Sequence, residues 1–81
     1  MMDILSKYRI DVVAYRSSSI EIIEVKPEAS TVAIGQVVTY VELYKRDFSP
    51  RPPVRGVIIT DHELPDIRYL TERLGFEYYI V

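Results

Sequence analysis

The stretch that most constrains this chain is IEIIEVKPEASTVAIGQVVTYVELYK, residues 20 to 45, where a β-branched run is cut by a proline and gives way to a helical repeat. Ile20, Ile22, Ile23 and Val25 predict a strand. Pro27 ends it, because proline offers no N–H to a ladder. Ser30 or Thr31 can cap the helix that follows, which runs to about Phe48. Its apolar residues, Val37, Val38, Val41 and Tyr44 with Ala33, Ile34 and Tyr40, recur at helical spacing and form a wide stripe.

The flanking segments extend this pattern. Residues 7 to 16, KYRIDVVAYR, are β-branched and aromatic and end at SSS, so with IEIIEVK they predict a hairpin. Ile10, Val12 and Ala14 share one face of the first strand, and Val13 and Tyr15 the other. Apolar residues on both faces predict a sheet covered on both sides, as in layered α/β folds. SPRPPVR forms a loop, since three prolines in four residues admit neither helix nor ladder. GVIITD, fully apolar until its end, predicts a central strand. Pro65 and Gly75 bracket DIRYLTERL as a second helix, and FEYYIV closes the chain as a strand. The expected order is β-β-α-β-α-β in one domain spanning residues 1 to 81.

A chain of 81 residues buries only about 60 to 65% of its unfolded surface. With no cysteine to staple the core, a homodimer interface is a reasonable further source of buried area. The longest apolar-rich stretch, Ala29 to Val41, is too short and too polar to span a bilayer, which leaves the cytoplasm as the default location and gives no reason to expect a membrane partner. The formal net charge of −2 argues against a strongly basic nucleic-acid coat, although a local basic cluster can still bind phosphate.

The chemistry is concentrated at the end of the second strand. Residues two apart share a face, so Glu24 and Lys26 project together while Val25 points away. If the hairpin turns on Ser17 and Ser18, residues whose numbers sum to 35 face each other, which sets Asp11 opposite Glu24. A three-residue turn would put Asp11 on the other face. Two opposed carboxylates repel unless something positive lies between them, and a divalent cation serves. Mg²⁺ takes one or two carboxylates with waters and phosphate oxygens, and the Val25 carbonyl can add a hard oxygen ligand. A lysine beside such an ion can hold an attacking water or stabilise charge developing on a phosphate.

Asp11, then Glu24-Val25-Lys26 on the strand end IIEVKP, then an amphipathic helix, together resemble the PD-(D/E)XK signature of restriction-endonuclease-like nucleases, including the RecB-type and Holliday-junction-resolvase-like branches. In those branches the helix after the Glu-x-Lys strand carries a glutamine and a tyrosine one turn apart, and GQVVTY places Gln36 and Tyr40 four residues apart. The resemblance covers roughly residues 8 to 60. It implies a minimal restriction-endonuclease-like α/β core with a mixed sheet, and a DNA nuclease dependent on Mg²⁺ or Mn²⁺. It further implies Asp11 and Glu24 as metal ligands with the Val25 carbonyl, Lys26 as the catalytic lysine, and Gln36 and Tyr40 as supporting residues. Family members usually begin with a helix and a further strand before the aspartate, where this chain has only MMDILS, and Ile10 stands in place of the proline of the signature.

Lys45, Arg46, Arg51 and Arg55 form a basic group at the end of the first helix and along the proline-rich loop, and are candidates for DNA phosphate contacts. The plainer reading is charge that complements the helix dipole. His62, with Asp61, Glu63 and Asp66 nearby, has the residue types of a metal site, but acids at a helix N-terminus need no metal. Tyr69, Tyr78 and Tyr79 read as core or interface aromatics. The reading from another class is a non-catalytic homodimeric interaction or nucleic-acid-binding module, in which Asp11, Glu24 and Lys26 form a structural ion-pair cluster.

Overall fold

The computed structural model describes residues 10 to 81, in the order β1 (Val12–Tyr15), β2 (Ile20–Val25), α1 (Thr31–Phe48), β3 (Val54–Thr60), α2 (Pro65–Arg73) and β4 (Glu77–Ile80). The expected strand residues Lys7 to Arg9, and the MMDILS segment, lie outside the described residues. The four strands form one mixed sheet in sequential order, β1 antiparallel to β2 and β2, β3 and β4 mutually parallel.

Local signals set each boundary. The hairpin turns on Ser17 and Ser18, closed by the Arg16 N–H to the Ser19 carbonyl at 2.8 Å. Ser30, in extended conformation, caps α1 by accepting the Val32 N–H. Ser49, at φ 42°, ends the helix with its N–H on the Lys45 carbonyl, and Pro50 prevents continuation. Pro65 opens α2, and Gly75, at φ 77°, closes it: the Gly75 and Phe76 N–H groups return to the Glu72 and Thr71 carbonyls.

Both helices pack on the same face of the sheet. Glu24, Ile58 and Tyr78 are register partners across three strands and so share that face, as do Ile22 and Gly56. Val37 of α1 and Ile67 of α2 join Ile22, Ile58 and Tyr78 in one buried cluster. Gly56 is required here, since a Cβ would stand 2.6 Å from the Phe76 ring and 2.8 Å from Val37 Cγ2. Among the described residues, both helices thus lie on one face of the sheet. The parallel strands advance across the sheet in one direction, and crossovers of one hand then place both helices on one side. On the other face Val12, Val25 and Tyr79 are 43%, 47% and 50% exposed, and neither helix covers them. Among the described residues, no helix is long and apolar enough to cross a membrane.

Candidate active site

The site lies where β2 ends on the helix-covered face. β1 pairs with β2 as Val12 to Ile23 and Tyr15 to Ile20, the register expected of a turn on Ser17 and Ser18, and Asp11, one residue before the ladder begins, stands next to Glu24. The same alternation that buries Ile20 and Ile22 against α1 carries Glu24 inward, where it is 3% exposed. Asp11 is exposed above it and hydrogen-bonds to it, while Asp11 Oδ2 also accepts the Val25 N–H at 2.9 Å.

Burial pushes the Glu24 carboxyl up to about 7, helped by its hydrogen bond to Asp11 and by repulsion from the Asp11 charge, with the Lys26 ammonium pulling the other way. Asp11 is held below the usual carboxylate range, chiefly because it accepts the hydrogen bond from Glu24, and further by the Val25 N–H and Lys26. One environment thus drives two carboxyl groups apart, and near neutrality they share a proton between them.

Lys26 is half-buried, and its charge reaches both carboxyl groups. Its N–H bonds the Ile59 carbonyl at 2.9 Å. Backbone groups alternate sides along a strand, so the Val25 carbonyl faces the β1 edge, where its N–H already meets Asp11. Two carboxyl groups and a carbonyl along one edge make a hard oxygen donor set that suits a divalent cation. Gln36 Oε1, in the second turn of α1, is buried with no hydrogen-bond partner among the described residues. Tyr40 lies one turn further along, half-buried against the core. A cavity of about 190 Å³ opens beside Lys26, walled mainly by Val25, Pro27, Ile59, Thr60 and Val81.

The basic group is placed elsewhere. Lys45 and Arg46 lie ~20 Å along α1 from its start beside the site, at 1.5 Å per residue, Arg51 lies in the following loop, and Arg55 is the second residue of β3. Three of them are in ion pairs, Lys45 with Glu42 at 3.3 Å, Arg46 with Asp47 at 2.8 Å and Arg55 with Glu77 at 3.7 Å. Nor do the acids around His62 converge. Glu63 pairs with Arg68 at 2.6 Å, and His62 Nδ1 meets the neighbouring Asp61 carboxylate at 2.5 Å and the Pro27 carbonyl at 3.4 Å. Among the described residues, no three His, Cys, Asp or Glu side chains gather as a metal site. Tyr78 is a core residue at 5% exposure, whereas Tyr69 is 62% exposed.

No protein-family model and no curated protein sequence matches the chain. Solved structures do. A repair endonuclease from Pyrococcus abyssi superposes with a TM-score of 0.64 at 25% identity, over 76% of this chain and 27% of that one. The apo form of EndoMS superposes with a TM-score of 0.70 at 22% identity, over 85% of this chain and 30% of that one. The chain therefore spans less than a third of the length of either neighbour. Its β-β-α-β-α-β unit has the restriction-endonuclease-like PD-(D/E)XK fold.

Proposed function

We propose that this domain is a metal-dependent nuclease acting on DNA phosphodiester bonds. The observation that carries the reading is the convergence of Asp11 and Glu24 at the end of β2, with Lys26 on the same face. Asp11, Glu24 and the Val25 carbonyl would hold Mg²⁺ or Mn²⁺, which when bound supplies charge stabilisation at the phosphate and an acidified water. Glu24 must give up its proton to serve as a ligand, and a level near 7 lets it do so at neutral pH. The Lys26 ammonium orients the attacking water or stabilises the phosphate oxygens as charge builds on them. Gln36 Oε1 is the further acceptor that α1 directs inward, and Tyr40 supports it from the next turn. The repair endonucleases that share the fold support DNA as the substrate.

The test is cleavage of labelled duplex and single-stranded DNA with Mg²⁺ or Mn²⁺. Lys26→Met and Glu24→Gln should each reduce the rate by about 100-fold or more while the circular dichroism spectrum is kept. Unchanged cleavage would remove these residues from the mechanism. The near-complete burial of Glu24 favours a second reading, a non-catalytic nucleic-acid-binding or homodimeric module whose carboxyl pair is structural. That reading is selected if the native chain binds DNA and cleaves none with either metal.

A further inference from the structure

The turn from β2 into α1 is closed by one side chain of β3. Thr60 is 1% exposed, and its hydroxyl donates to the Pro27 carbonyl at 2.8 Å. The same oxygen accepts the Ala29 N–H at 3.3 Å and the His62 N–H at 3.4 Å. A hydroxyl has one proton and two acceptor positions, so Thr60 is used to capacity. Two backbone bonds run beside it, from the Lys26 N–H to the Ile59 carbonyl at 2.9 Å and from the Asp61 N–H to the Pro27 carbonyl at 3.2 Å. Those backbone bonds hold only the residues that leave the strand. The hydroxyl alone also reaches Ala29, which is 0% exposed, and so links the exit of β2 to the start of α1.

We propose that Thr60 is a positioning residue for Lys26: its hydroxyl fixes the backbone that follows Lys26, at Pro27 and Ala29, and thereby the direction in which the Lys26 ammonium meets the substrate phosphate. The inference rests on the nuclease reading above. Asp11 and Glu24 are held separately, by the β1–β2 register and the Val25 N–H, so the carboxyl pair does not depend on Thr60. Valine keeps the shape of threonine but leaves the Ala29 N–H buried without that acceptor. Serine keeps the hydroxyl.

The experiment compares Thr60→Val and Thr60→Ser in the full chain, with Thr60→Cys replacing Thr60→Val if the latter does not fold. Thr60→Val should lower kcat for DNA cleavage about 10-fold or more, since small displacements of a catalytic group are expensive. KM for DNA and the affinity for Mn²⁺ should stay within about twofold, and Thr60→Ser should recover kcat to within about threefold, if only orientation is lost. An independent readout is the NMR signal of ¹³C-methylated Lys26, which should shift and broaden in Thr60→Val, hold in Thr60→Ser, and leave the Lys45 signal unmoved in both. The proposal is overturned if Lys26 is unmoved in Thr60→Val, if kcat is retained there, if serine is as impaired as valine, or if Mn²⁺ affinity falls in parallel. A native chain that cleaves no DNA, yet shows the Lys26 shift in valine and not in serine, would reject the nuclease reading and keep the clamp on Lys26.

Discussion

Raising the pH from about 5.5 to about 8.5 without divalent metal should destabilise the protein by about 2 kcal/mol, and Glu24→Gln should remove most of that loss. The magnitude follows from Glu24, whose carboxyl lies at about 7 in the folded chain against 4.5 ordinarily. Because the folded state raises this level, the contribution is fully present below 4.5 and is lost as pH climbs through about 7. The full gap corresponds to about 3 kcal/mol at 1.36 kcal/mol per unit, of which about 2 falls within the stated window. Asp11 moves the other way: its level is lowered, so its contribution is lost only on acidification below the usual carboxylate range, outside the window. His62 is raised by its pairing with Asp61 and titrates with the same sign as Glu24, so His62→Gln is the necessary control. Gln at 24 keeps a donor for Asp11 and removes the charge. For a domain of this size, 2 kcal/mol moves Tm by about 8 to 16 °C, which thermal unfolding followed by circular dichroism in chelator resolves easily. The reasoning fails if the native Tm is flat across the window, or if Glu24→Gln falls as steeply as the native chain.

Two further outcomes follow from the same geometry. Metal must displace the Glu24 proton, so the affinity for Mg²⁺ should weaken about tenfold from pH 8 to pH 6; equal affinities at the two pH values would exclude Glu24 as a ligand. Gly56→Ala drives a methyl group against Phe76 and Val37 and should lower stability by about 1 to 3 kcal/mol in urea unfolding; a change within about 0.5 kcal/mol would mean that Phe76 turns aside freely.

The hairpin register was legible because a turn on Ser17 and Ser18 leaves one pairing, and with it the meeting of Asp11 and Glu24. The strand, proline and helix of residues 20 to 48 were legible for a similar reason: periodicity, Pro27 and the Ser30 cap all act within a few residues of one another. What escaped depends on long-range placement. Apolar residues on both faces of β1 and β2 do not say which face the helices take, and that is set by the order of the parallel strands. The basic residues at 45, 46, 51 and 55 were legible as a group, but no local pattern gives the distance that α1 sets between Lys45 and Arg46 and the carboxyl pair. Thr60 reads as the polar end of GVIIT. Its role appears only when β3 pairs beside β2 and brings the hydroxyl under Pro27, 33 residues away in the chain.

All of the chemistry above depends on Asp11 and Glu24 together taking a divalent cation. Calorimetric titration of Mn²⁺ into the native chain and into Asp11→Ala at pH 7.5 tests this directly. The native chain should bind at one site with release of a fraction of a proton, as the buffer dependence of the heat will show, and Asp11→Ala should lose that binding. Absence of binding in the native chain, or equal binding in the two proteins, would contradict the assignment.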